Sequence, residues 1–217
     1  MLLNGLDPAT LISRIVVLVV AFTIHEFAHA WTATKFGDDT PRLNGRLTLN
    51  PIVHLDPMGS LLLLFAGFGW ARPVPVNPYA LQRRSSAALM FVSLAGPLSN
   101  LMLAILAAIP FRLGLVSLAD SFTSIGFLPT PAKLLFEFIL INLVLMLFNL
   151  IPIAPLDGDK IADYFFPASW SRVLDNIRPY GPVILISIVI IGPFFGLDII
   201  GMILRPPLSA LLNLLVG

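Results

Sequence analysis

Apolar residues in this chain gather into long runs, and polar ones are confined to the segments between them, with a few exceptions inside the runs. Four stretches, at about 11–36, 87–111, 134–153 and 182–204, approach the ~20 apolar residues that a helix needs to cross a bilayer. The first has Arg14 near one end and Lys35 at the other, and the third closes on the prolines of NLIPIAP. The fourth contains Gly192-Pro193 and Gly196, which predicts a kink. A further stretch at about 58–78, MGSLLLLFAGFGWARPVPVNP, behaves differently. Its apolar part, about 13 residues, is too short to span and suits a re-entrant segment. Pro73 and Pro75 exclude a helix after it and are spaced like residues on one edge of a strand. Non-helical backbone at membrane depth is tolerated only against protein or a wet cavity. The pattern therefore predicts an all-α polytopic membrane protein, with about four transmembrane helices and a re-entrant β-like hairpin between the first and second.

Basic residues test that topology. If 58–78 does not cross, one side of the membrane carries Lys35, Arg42, Arg46, Arg72, Arg83, Arg84, Lys160, Arg172 and Arg178, and the other carries Arg14, Arg112, Lys133 and Arg205. This asymmetry makes the first side cytoplasmic by the positive-inside rule, and it vanishes if the segment is made to cross.

Composition agrees with the pattern. Hydrophobic residues make up 57% and charged residues 12% of the 217, where a soluble domain carries about 25% charged. A net charge of +1 on scattered basic residues gives no reason to expect nucleic acid. Cysteine is absent, which excludes a disulfide framework and thiolate metal sites. The N-terminal run has no basic n-region or A-x-A-like site and is expected to be a retained span. Residues 1–217 are expected to form a single membrane domain with no internal repeat.

The exceptions inside the runs carry the chemistry. The chain has three histidines and two glutamates, and TIHEFAHAW places two of the histidines and one glutamate in the first span. On a helix His25 and His29 are one turn apart and about 40° around the axis, so both imidazoles face the same way. This is the HExxH arrangement: two nitrogen ligands for Zn²⁺, with Glu26 placed to act on a water. Polar groups within a span are costly and are kept mainly for function, which outweighs the alternative of two polar residues packed in a bundle. A catalytic zinc needs a third protein ligand, and the candidates are His54, Asp56, Asp157 and Asp159. With four spans the third returns to the side where His29 lies, and Pro152 and Pro155 end its helix, so Asp157 is at a suitable depth. An Asp-Gly turn or helix cap would explain Asp157-Gly158 equally well from spacing alone.

HEFAH, NPIVHLDPMGS, GWARPVPVNP, AGPLSN and NLIPIAPLDG, in this order over about residues 20–160, closely resemble the site-2 proteases, zinc metalloproteases that cut within membranes. The resemblance implies Asp157 as third ligand, Glu26 as catalytic acid/base, and Asn149 as a residue that positions the substrate or stabilises the oxyanion. Asn142, two helical turns earlier, is the alternative for that last role. Asp159 departs from the usual small residue after LDG and would place a second carboxylate near the metal. The chain length leaves no space for the PDZ or CBS domains attached to some relatives. The resemblance further implies single-span membrane proteins as substrates, in regulated intramembrane proteolysis at the cytoplasmic end of a multi-pass protein of the cell membrane. A substrate helix must unwind to be cut, and the segment Arg72, Pro73, Val74 to Asn77 is expected to receive it by β-augmentation.

Simpler readings cover the remaining features. His54 is expected to satisfy a turn or to line the mouth of the site. In AGPLSN the small residues suit close helix packing, and Asn100 is expected to make an interhelical hydrogen bond before any contact with substrate. Trp31 and Trp70 fit an interfacial aromatic belt, and Arg83-Arg84 fit anchors before the second span. Two rival functions predict other features. A metal-handling carrier would need further polar sites along the spans, and a catalytically silent scaffold would not need Glu26.

Overall fold

A computed structural model describes residues 7–59, 69–123 and 126–217. Helix α1 (Pro8–Lys35) starts where Asp7 caps it, accepting from the Thr10 N–H at 3.0 Å, with Pro8 at the first helical position. It ends at Phe36-Gly37. A short helix α2 (Pro78–Arg84) is capped by Asn77 and leads into α3 (Ala88–Arg112). Thr130 and Pro131 start α4 (Pro131–Asn149) in the same way as Asp7 and Pro8 start α1. The helices α5 (Asp157–Phe165), α6 (Ala168–Ile177) and α7 (Gly181–Ile186) follow, and α7 runs on through a π-helical stretch, Ser187–Ile191, to Phe194. Helix α8 (Ile199–Val216) closes the chain.

Helices α1, α3 and α4 pack against one another and form the core. Their contact faces repeat every four residues with small or polar side chains: Ala9, Ser13, Val17, Ala21, His25, His29 and Ala33 on α1, and Val92, Gly96, Asn100, Ala104 and Ala108 on α3. In lipid, apolar burial gives helices no reason to associate, so close backbone approach over small residues and interhelical hydrogen bonds must do so. Ile139, Leu143 and Met146 of α4 fill the space opposite Ala104, Ala107 and Ala108.

Five helical stretches among the described residues are long and apolar enough to cross a membrane: Pro8–Lys35, Ala88–Arg112, Pro131–Asn149, Ser169–Phe194 and Ile199–Val216. The first three fall on the expected spans. The fourth expectation, one span at about 182–204, is corrected: residues 195–198 form a turn in which Gly196 takes a φ of +73°, and separate helices stand on either side. The residues from Pro206 on belong to α8, which packs on α3 and α4. Of the expected re-entrant segment at 58–78, residues 60–68 lie outside the described residues. Its flanks meet in one antiparallel bridge, Leu55 to Ala71, and the Arg72 N–H donates to the His54 carbonyl at 2.7 Å. Among the described residues this bridge is isolated and no strand forms.

Candidate metal centre

His25 and His29 occupy consecutive turns of α1, with ring centroids 4.6 Å apart. Asp157 reaches them from the first turn of α5. Its Oδ2 lies 3.1 Å from His25 Nε2 and 3.3 Å from His29 Nε2, and ligand atoms of all three lie within 4.8 Å of one another. Donors each 2.0–2.2 Å from a tetrahedral ion stand about 3.3–3.5 Å apart, so this spacing is close to that of a formed site.

Two glycines make the approach possible. A Cβ on Gly96 of α3 would sit 2.4 Å from His29 Nε2 and 2.5 Å from His25 Nε2, so only glycine leaves this space empty. A Cβ on Gly158 would meet the carbonyls of Leu150 and Ile151 at 2.4 Å. The glycine of LDG thus lets α5 turn back tightly against the end of α4, which brings Asp157 to α1.

The outer ring nitrogens decide what the inner ones can do. His29 Nδ1 lies 2.7 Å from the Val92 carbonyl, which can only accept, so this nitrogen carries the proton. His25 Nδ1 lies 2.6 Å from Asn100 Oδ1, also an acceptor. In the neutral rings both Nε2 atoms then present lone pairs, and Asp157 adds a carboxylate oxygen. Three convergent acceptors in a buried site form a group that could hold a metal ion. The donor set, nitrogen and oxygen with no sulfur, suits Zn²⁺.

Glu26 shares the cavity. It is 7% exposed, and its Oε2 accepts from the Val74 N–H at 3.0 Å. The cavity, about 470 Å³, is also lined by Phe22, Trp70, Ala71, Pro73, Val76, Asn149 and Leu156, with Pro182, Leu185 and Ile186 of α7 as a further wall.

The structure therefore gathers His25, Glu26, His29, Asn149, Asp157, Pro73 and Val74 around one cavity. Asn149 donates to the Leu145 carbonyl at 3.0 Å while lining that cavity. Asn142 is fully buried behind His25 and accepts from Asn100 at 2.8 Å. Arg72 lines a neighbouring cavity with Arg46, whose guanidinium donates to the Arg72 carbonyl. The Asn77 N–H donates to buried Asp38, and its side chain caps α2. His54 is buried, with Nε2 on the Thr48 carbonyl. Asp56 accepts from the Gly59 N–H. Asp159, 2% exposed, faces Arg178 at 3.0 Å and Lys160 at 2.6 Å, so its charge is matched away from the three ligands. Sequence reasoning missed Gly96 as the residue that makes space for the rings, the Val74 N–H on Glu26, and the α7 wall. The glycine in AGPLSN was visible as a small packing residue, but its facing partner was not.

A membrane-embedded group of this kind, two histidines of one HExxH turn and an aspartate from a second helix beside a glutamate, defines a class of metalloprotease-like proteins. Curated relatives are named as putative zinc metalloproteases. The chain is 44% identical, over 84% of its length and 83% of the relative's, to a Bacillus subtilis protein named "Putative zinc metalloprotease YwhC". It is 31% identical to proteins named "Putative zinc metalloprotease Rip2" from Mycolicibacterium smegmatis, over 79% of this chain and 64% of the relative, and Mycobacterium tuberculosis, over 82% and 68%. No family profile matches the chain, and no solved structure matches it. The chain belongs to the site-2 protease family.

Proposed function

We propose that this chain is an intramembrane zinc endopeptidase that hydrolyses a peptide bond within or near the transmembrane segment of single-span membrane proteins. The observation that carries this reading is the convergence of His25, His29 and Asp157 with Glu26 on one cavity inside a helical bundle. His25, His29 and Asp157 hold the ion. Zinc, when bound, supplies Lewis acidity to a scissile carbonyl and lowers the pKa of water toward ~7.

Glu26 takes the proton of the attacking water on its carboxylate and delivers it to the leaving amine. The Val74 N–H holds one oxygen of that carboxylate, which leaves the other for the water. Asn149 turns its Nδ2 from the Leu145 carbonyl to the developing oxyanion. The substrate enters unwound, because a helix hides its own carbonyls, and it pairs with the extended segment 72–77. Proline at 73 and 75 has no N–H, and the N–H groups of Arg72, Val74 and Asn77 are engaged by His54, Glu26 and Asp38. The carbonyls of Arg72 and Asn77 accept from Arg46 and Leu81, so pairing there uses the carbonyls between them and the Val76 N–H. The six Lys and Arg residues from Lys35 to Arg84 support a cytoplasmic position for this end. Membrane-tethered proteins cut as part of regulated intramembrane proteolysis are the expected substrates.

The test is cleavage of a tagged single-span protein in detergent, with zinc content measured on the same samples. Wild type should cut, and Glu26→Gln should keep its zinc and lose cleavage by at least about 100-fold. Cleavage that persists in Glu26→Gln would refute the assignment. Zinc in both proteins with no cleavage by wild type of any single-span substrate would favour a scaffold.

A further inference from the structure

His29 and His25 are steadied by different devices. The first donates straight to a backbone carbonyl, that of Val92, which no substitution can remove. The second has no backbone acceptor. Its Nδ1 meets the side chain of Asn100, a fully buried residue of α3, at 2.6 Å. An amide side chain can offer either oxygen or nitrogen, so Asn100 by itself does not fix the tautomer of the ring. The next two contacts do. Asn100 Nδ2 lies 2.8 Å from Asn142 Oδ1, and Asn142 Nδ2 lies 2.8 Å from the Phe138 carbonyl on α4.

The chain of contacts runs in one direction only. A backbone carbonyl accepts and never donates, so the Asn142 atom beside Phe138 must be its nitrogen. The Asn142 oxygen then accepts from the Asn100 nitrogen, and the Asn100 oxygen accepts from His25. Reversing any amide would set two acceptors or two donors face to face, at a cost that full burial of both asparagines makes high. We propose that Asn100 and Asn142 are positioning residues for metal binding. Through them the Phe138 carbonyl of α4 holds His25 with its proton on Nδ1 and its lone pair on Nε2, facing Asp157 and His29.

A pair of asparagines joining two spans would suffice as an interhelical hydrogen bond. The third contact sets this pair apart, because the relay ends on a ring that points at the metal site. It also makes the site depend on all three core helices. The ligand ring stands on α1, its acceptor on α3, and the group that orients the acceptor on α4.

This inference rests on the proposed metal site, and the experiment separates the two. Zinc affinity of the full chain in detergent is measured by competition with a chromogenic chelator, together with the melting temperature of the metal-free protein. Asn100→Leu should weaken zinc binding about 10- to 100-fold, the usual loss when the outer partner of a metal-bound histidine is removed. Asn100→Asp keeps an acceptor for Nδ1 but cannot donate to Asn142, and it should stay within about 3-fold of wild type. Asn142→Leu touches no ligand and should still weaken binding several-fold. Cobalt-substituted protein should show a changed visible spectrum in Asn100→Leu and an unchanged one in Asn100→Asp. Equal affinities for the Leu and Asp variants at position 100 would overturn the proposal, whether both fall or neither does. So would wild-type affinity in Asn142→Leu, which keeps the test open if Asn100→Leu does not fold. Absence of zinc from wild type would refute the metal site itself, and the relay with it.

Discussion

The core and the C-terminal third of this molecule are built on different principles. In α1 and α3 most buried residues are small or hydrogen-bonded, alanines and a glycine at four-residue spacing and polar groups joined from helix to helix, and Ile139, Leu143 and Met146 of α4 pack against them. From α6 onward few side chains are buried, with Leu185 and Leu204 among them. Leu208, Leu211, Leu212 and Leu215 of α8 pack on the core, and charged groups join the rest. Arg178 joins Asp159 to Asp163 and Asp175, and Arg112 donates to the last carbonyls of α8, those of Leu214, Leu215 and Gly217. Both regions face the cavity. Core helix α1 and the first turn of α5 supply the atoms that could hold an ion, while α7 supplies an apolar wall next to the Arg178 ion pairs. Metal binding and access to the metal are therefore expected to fail separately.

The sharpest way to break this division is Gly96→Ala. One methyl group would occupy the space of two ring nitrogens, so zinc and cleavage should fall together, by about 100-fold, with the helical content unchanged. Metal analysis and circular dichroism on one preparation check this. On the other side, Arg178→Ala leaves buried Asp159 with Lys160 alone and should cost about 1–3 kcal/mol of stability. Zinc content should remain that of wild type, while the KM for a single-span substrate rises as the α7 wall loosens. Loss of zinc in this variant would mean that the two regions are not separate. A smaller effect is expected for Arg112→Ala, an exposed residue: about 0.5 kcal/mol, seen as faster amide exchange at the end of α8. The smallest lies at the opposite end of the core. The Thr10 hydroxyl and then Lys133 hold the Asp7 carboxyl well below the usual carboxylate range. Its contribution is complete above the unfolded value of about 3.9 and declines as pH falls through the lowered folded value, so Asp7→Asn should narrow the stability difference between pH 6 and pH 3.

The sequence revealed most where local spacing and chemistry coincide. HEFAH was legible because one helical turn brings its two histidines to the same side, and the three core spans were legible from their length. Asp157 needed more than spacing: motif resemblance singled it out among four candidates, and in the structure the tight turn at Gly158 sets it beside His25 and His29. Other features depend on what lies opposite in space. Asn100 and Asn142 are two polar residues in apolar spans, 42 positions apart, and nothing in the sequence pairs them. The Val74 N–H is a backbone group with no sequence signature beyond the flanking prolines that leave it alone. The break at Gly196 was written in the sequence as a kink, but its depth, a full turn between two helices, follows from a positive φ that glycine permits and does not require.

The account stands on zinc held by two histidines and an aspartate. Zinc-edge X-ray absorption of the purified wild-type protein tests this most directly. The predicted result is about one zinc per chain, with nitrogen and oxygen neighbours at 2.0–2.2 Å and the outer-shell signature of two imidazoles, reduced to one in His25→Ala. A protein without stoichiometric zinc, or a zinc whose surroundings do not change in His25→Ala, would contradict it.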